Sequence, residues 1–98
     1  MTVPIVENWA DVKGELVDSY PSKTSDGYIT LEVKVKDVKN IKDYKNFLAD
    51  RVGEVIQVNV SESLLQGKDI KQGGKASMRV RMASSRKFFA HPEHLRIE

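Results

Sequence analysis

Hydrophobic and polar positions alternate most clearly over residues 27–38, GYITLEVKVKDV. There Ile29, Leu31, Val33 and Val35 alternate with Tyr28, Thr30, Glu32, Lys34 and Lys36. A period of two with β-branched enrichment predicts a strand with one face on a core and one in water. The same period recurs in GEVIQVNV, residues 53–60, with Ile56, Val58 and Val60 on one face and Val55, Gln57 and Asn59 on the other. It recurs again in KASMRVRMAS, where Ala76, Met78, Val80 and Met82 alternate with Ser77, Arg79, Arg81 and Ala83. ADVKGELVDSY, residues 10–20, places Val12 and Leu16 inward around Gly14, and a glycine in mid-strand marks a bulge, a bend or a close backbone approach. KFFAHPEHLRI forms a last strand, interrupted near Pro92. The pattern therefore predicts five strands.

The connections carry turn chemistry. PSKTSDG separates the first two strands. KNIKDYKNFLADRV spaces Ile41, Tyr44, Phe47, Leu48 and Arg51 by three and four, which suits a short amphipathic helix or a structured loop. SESLLQG, with a serine at its start and Gly67 at its end, reads as one helical turn. Residues 1–8 read as an N-terminal arm interrupted by Pro4.

Five short strands left open would expose edges and bury little, so they call for closure. The expected fold is mainly β: a small five-stranded Greek-key barrel with one or two short helices, spanning the 98 residues as a single domain. The runs V-K-G-E-L-V, G-Y-I-T-L-E-V-K-V and G-E-V-I-Q-V-N-V, then a leucine pair and a glycine-rich turn into M-R-V-R-M, resemble an OB-fold domain. The layout is similar to single-stranded-DNA-binding and replication-protein-A-like members and covers roughly residues 9–97. One departure is that the more helical segment precedes strand three instead of following it, so an SH3-like or other small barrel stays open.

Composition narrows the chemistry. Without cysteine there is no disulfide, thiolate metal site or thiol nucleophile, and a cytoplasmic location is expected. The opening residues lack a basic region followed by an apolar run, so no signal peptide is expected, and no apolar run approaches the length of a membrane-spanning helix. The net charge of +2 is unevenly distributed: residues 1–49 hold seven Lys/Arg against eight Asp/Glu, and residues 50–98 hold nine against six. The stretch from Lys75 to His91 contains Lys75, Arg79, Arg81, Arg86 and Lys87, two phenylalanines and no acidic residue.

The OB resemblance implies a ligand across strands two and three, flanked by the loops joining strands one to two and four to five. Those elements offer Tyr28, Thr30, Lys34 and Lys36 from strand two, Gln57 and Asn59 from strand three, and Lys23 from the first loop. The last loop offers Arg86, Lys87 and Phe88, and strand four offers Arg79 and Arg81. Cations neutralise phosphates by releasing counterions and aromatic faces stack bases, so single-stranded DNA or RNA is the expected partner. Against this, Arg79 and Arg81 suit the wet side of an ordinary strand, and Phe88 and Phe89 cannot both face outward. Docking of a protein through an edge strand or the Val3, Ile5, Val6 and Trp9 cluster is the alternative.

No cofactor, metal or catalytic site is expected. His91 and His94 flank Pro92 without a third ligand at a recognisable spacing. GGKAS lacks the earlier glycine and the hydroxyl of a phosphate-binding loop. No nucleophile and base are spaced as a unit.

Overall fold

The computed structural model describes residues 7–23, 26–68, 70–84 and 87–97. The strands are β1 (Ala10–Pro21), β2 (Tyr28–Asn40), β3 (Val55–Ser61), β4 (Lys75–Ser84) and β5 (Lys87–Ile97). They close into a barrel in the order β1-β2-β3-β5-β4, with β1 pairing antiparallel to both β2 and β4. Closure comes where β5 inserts between β3 and β4. It is antiparallel to β4 and parallel to β3, and the parallel ladder has only the pairs Val58↔Phe88 and Asn59↔Phe89. Among the described residues no helix is long and apolar enough to cross a membrane.

The period-two pattern becomes the core. Val12, Leu16, Leu31, Val33, Val35, Val58, Val60 and Val80 are each no more than 1% exposed, and Ile56, Met78 and Phe88 are buried beside them. Each such side chain fully removed from water contributes about 1.5–3 kcal/mol before conformational entropy is charged against it. Leu48 and Leu65 join the cluster from the connecting segments.

The segment between β2 and β3 is not an amphipathic helix. Asp43 has a φ of 72°, the Asn46 side chain accepts a hydrogen bond from the Leu48 amide, and only Ala49–Arg51 forms a 3-10 turn. Its three-and-four spacing buries Leu48 alone, with Tyr44 and Phe47 exposed. The turn after β3 is also 3-10, Glu62–Leu65.

Gly14 marks the expected irregularity. The register of β1 on β2 slips between Lys13 and Gly14, leaving Lys36 without a pairing partner on β1. Lys36 and Asp37 therefore both face water, although they are neighbours in one strand. Further along, β1 leaves β4 and pairs with the preceding loop, where Leu16 donates to the Gly74 carbonyl at 2.8 Å and accepts from the Gly73 amide at 2.7 Å. The interruption near Pro92 is a register break: Met78 pairs with Leu95 and Val80 with Ala90, so residues 91–94 face the single residue Arg79.

The first described residues are tied down. The Asn8 side chain donates to the Met82 carbonyl at 3.0 Å and accepts from the Met82 amide at 2.7 Å, as a strand residue would. The Trp9 ring packs edge-on against His91, 5.1 Å between centroids. Val3, Ile5 and Val6 lie outside the described residues.

Candidate nucleic-acid interface

Alternation along β5 decides which aromatic faces outward. Phe88 pairs with Val58 and points into the barrel, 5% exposed. Phe88 is therefore a core residue and not a stacking surface. Phe89 takes the outer face, which is where the period of two from Lys87 leads. Its ring meets that of Tyr28 edge to face, 5.7 Å between centroids at 83°. The Arg81 guanidinium lies over the Phe89 ring, 5.5 Å from its centroid, Arg81 being the registered partner of Phe89 on β4. Tyr28, Phe89 and Arg81, from three strands, thus form one aromatic–cationic cluster.

Beside it lies a cleft of about 330 Å³, lined by Tyr20, Ser22, Lys23, Thr30, Gln57, Asn59 and Lys87. At its floor the Thr30 hydroxyl donates to Oδ1 of Asn59 at 3.0 Å, and Nδ2 of Asn59 donates to the Phe88 carbonyl at 3.2 Å. Both polar side chains are buried, at 6% and 7% exposure, so the bonds are needed to offset desolvation. They stitch β2, β3 and β5 at the closure, where the parallel ladder is shortest.

Two of the lining side chains, Tyr20 and Gln57, form a polar triad with Glu32. The Tyr20 hydroxyl donates to Oε2 of Glu32 at 2.8 Å, and Nε2 of Gln57 donates to the Tyr20 oxygen at 3.1 Å and to the same carboxylate at 3.2 Å. Partial burial and the hydrogen bond to Glu32, with the Glu32 and Asp18 charges, hold the Tyr20 hydroxyl above the ordinary phenol value. Glu32 puts a negative charge among the cations, with one oxygen covered by two donors. Gln57 is fixed at the cleft with an amide able to meet a base edge.

The expected residues divide as follows. Tyr28, Gln57, Arg81 and Lys87 share this outer surface with Lys23, whereas Thr30 and Asn59 are buried at the base of the cleft. Lys34 lies further along β2, opposite Glu15 on β1 and Val55 on β3. Lys36 lines a different cleft beside Gly14. Arg79 belongs to the solvated side of β1 and β4: its Nε donates to Oδ1 of Asp11 at 3.0 Å and its Nη1 lies 3.4 Å from His94. Arg86 lies outside the described residues. Phe89, Tyr20 and Glu32 are site residues that the sequence reading missed. For Phe89 the signal was present, since adjacent residues of a strand cannot share a face and Lys87 and Phe88 were both assigned outward. The Tyr20–Glu32 contact depends on the β1–β2 register, which a pattern of single strands does not contain.

His91 meets His94 edge-on, 4.8 Å between centroids, and also packs edge-on with Trp9. Among the described residues no group of three metal-ligating side chains occurs.

Comparison with protein-family models, with curated proteins and with solved structures finds no match to this chain.

Proposed function

We propose that this chain is an OB-like nucleic-acid-binding module that holds single-stranded DNA or RNA on the outer surface of β2, β3 and β5. The observation that carries the reading is the Tyr28–Phe89–Arg81 cluster, which adjoins a cleft bordered by Lys23 and Lys87. Rings give base-independent stacking worth about 1–3 kcal/mol per base, a guanidinium extends that platform, and lysines at its margin neutralise backbone phosphates. The location supports the reading too, because OB-like barrels present this side of strands two and three, between the first and last loops, to oligonucleotides. The cation content is small, so affinity rests on stacking as much as on charge.

The test is anisotropy of labelled single-stranded DNA and RNA of mixed sequence, titrated at about 50 mM and 200 mM salt. Micromolar or tighter binding that weakens with salt and is lost in Arg81→Ala/Lys87→Ala supports the reading. Absence of binding at low salt refutes it.

A second reading, docking of a protein partner, draws on Tyr44, Phe47, Val52 and Val55. These are 38–52% exposed along the connection from β2 into β3. Binding through that surface would be insensitive to salt.

A further inference from the structure

A second concentration of positive charge lies away from the aromatic cluster, in a cleft of about 440 Å³ beside the β1 bulge. Lys13, Lys36, Lys75 and Arg96 line it, with Glu15 the one carboxylate among the described residues of its lining. Cross-strand register explains how they meet. Lys13 pairs with Ser77, which pairs with Arg96 on β5, while Lys75 stands opposite Glu15. Lys36, outward by its parity with Lys34 and left without a β1 partner by the register slip at Gly14, lines the same cleft. None of the four cations forms an ion pair with a described carboxylate, whereas Arg79, two residues along β4 from the cleft-lining Ser77, has Asp11. Gly14 lines the wall between Lys13 and Glu15, where β1 backbone lies tight against the Lys34 carbonyl of β2. Unpaired cations converging on a concave surface raise the local potential and favour an anion carrying several charges.

We propose that this cleft is a phosphate-binding site for a ligand bearing clustered phosphates. Two sources share that chemistry: a free oligophosphate, or the backbone of a nucleic-acid strand that has already crossed the aromatic surface. The backbone source rests on the nucleic-acid reading above, and the phosphate chemistry does not. Strand β2 links the two surfaces, with Glu32 between Tyr28 and Lys34. From Tyr28 to Lys36 the strand advances about 26 Å at roughly 3.3 Å per residue, passing Lys34 on the way.

Two titrations test the site, each made on the whole chain and on Lys36→Ala/Lys75→Ala/Arg96→Ala, whose side chains are exposed and whose fold is checked by its thermal transition. In the first, tripolyphosphate is added at low salt and backbone amide resonances are followed by NMR. Saturable shifts at Gly14 and Ala76 that vanish in the triple variant support the site. In the second, single strands of about three and about twelve nucleotides are compared, the longer lying within the span an OB-like barrel covers. The triple variant should leave the short strand unaffected. For the long one it should flatten the slope of log K against log salt by roughly 0.7 per lost phosphate contact.

Tripolyphosphate shifts without oligonucleotide binding would keep the cleft as a site for free oligophosphate and refute the nucleic-acid reading. Oligonucleotide binding with an unchanged slope and no tripolyphosphate shift would overturn the cleft and leave that reading standing. Shifts that persist in the triple variant would also overturn the cleft.

Discussion

Phe88 and Phe89 are consecutive in β5 and serve opposite sides of the barrel wall, Phe88 packed in the core beside Val58 and Phe89 against Tyr28 outside. Their alanine variants should therefore separate stability from binding. Phe88→Ala leaves a cavity in a closed barrel and should cost about 3–5 kcal/mol of folding free energy in urea denaturation. Phe89→Ala should leave the urea midpoint within a small shift and weaken oligonucleotide binding about 5- to 150-fold, the equivalent of one stacked base. The reverse pattern would mean that the wall is inverted at this position.

The two arginines of β4 make a similar pair. Arg79 and Arg81 lie two residues apart, so they share a face of the strand, yet Arg79 is engaged by Asp11 on β1 and Arg81 lies over Phe89 on β5. Arg79→Ala should change stability by no more than about 1 kcal/mol, since its ion pair is partly exposed, and should leave oligonucleotide affinity unchanged. Arg81→Ala should weaken binding and flatten its salt dependence. Anisotropy on both variants checks this, and equal losses would argue for diffuse attraction instead of a defined platform.

The contrast between these neighbours shows what the sequence makes legible. Alternation is a property of one strand, and it identified Leu31, Val33, Val35, Ile56, Val58, Val60, Met78 and Val80 as core because each needs only its own parity. The number of strands and the closed architecture followed from those runs. Site membership depends on which strands become neighbours and at what offset. Arg79 and Arg81 have the same parity and the same residue type, and only the β4–β5 register gives one of them an aromatic partner. Lys36 shares the parity of Lys34, but it lies at the slip opposite Gly14 and lines a separate cleft. The three-and-four spacing of residues 41–51 left a helix and a structured loop both open for a related reason, and the structure takes the loop. That spacing occurs in loops as well, and a positive φ at Asp43 with a side-chain turn at Asn46 ends any helix before it starts.

Asn59 links three strands through two hydrogen bonds at a joint that otherwise has two ladder pairs. Asn59→Ala would leave the Thr30 hydroxyl and the Phe88 carbonyl buried without that partner, a cost of about 1–3 kcal/mol. The closure should also loosen locally. Hydrogen exchange should show lowered protection at Phe88 and Phe89, and amides of the β1–β2 ladder should retain theirs. Uniform loss of protection would instead mean that the barrel opens as one unit.

Tyr20 gives the surface a titration with a definite sign. Partial burial first, and then the hydrogen bond and charge of Glu32, raise its folded pKa above the ordinary value of about 10. The folded state therefore holds this proton more tightly than the unfolded chain. Its contribution to stability is complete below the unfolded pKa and is lost as pH rises through the folded one. Phenolate absorbance in an alkaline titration should show a late-ionising tyrosine that disappears in Tyr20→Phe and shifts downward in Glu32→Gln. An unchanged titration in Glu32→Gln would mean that Glu32 has no share in the shift.

Gly14 is the position where the least substitution should have the largest structural effect. A Cβ there would collide with the backbone carbonyl oxygen of Lys34 and come within 2.6 Å of Cγ1 of Val33. Neither neighbour can retreat easily, one being ladder backbone and the other a fully buried core side chain. Gly14→Ala should therefore part β1 from β2 at the bulge and cost about 1–3 kcal/mol, the range of an overpacked core. For a domain of this size that is a fall in Tm of roughly 4–24 °C. Gly53 is the control. Its φ is 92° with open space around the missing side chain, so Gly53→Asn meets backbone strain but no collision and should lower Tm less. Because Gly14 and Lys36 line the same basic cleft, parting the strands at the bulge in Gly14→Ala should also weaken tripolyphosphate binding in molecules that remain folded, and Gly53→Asn should not.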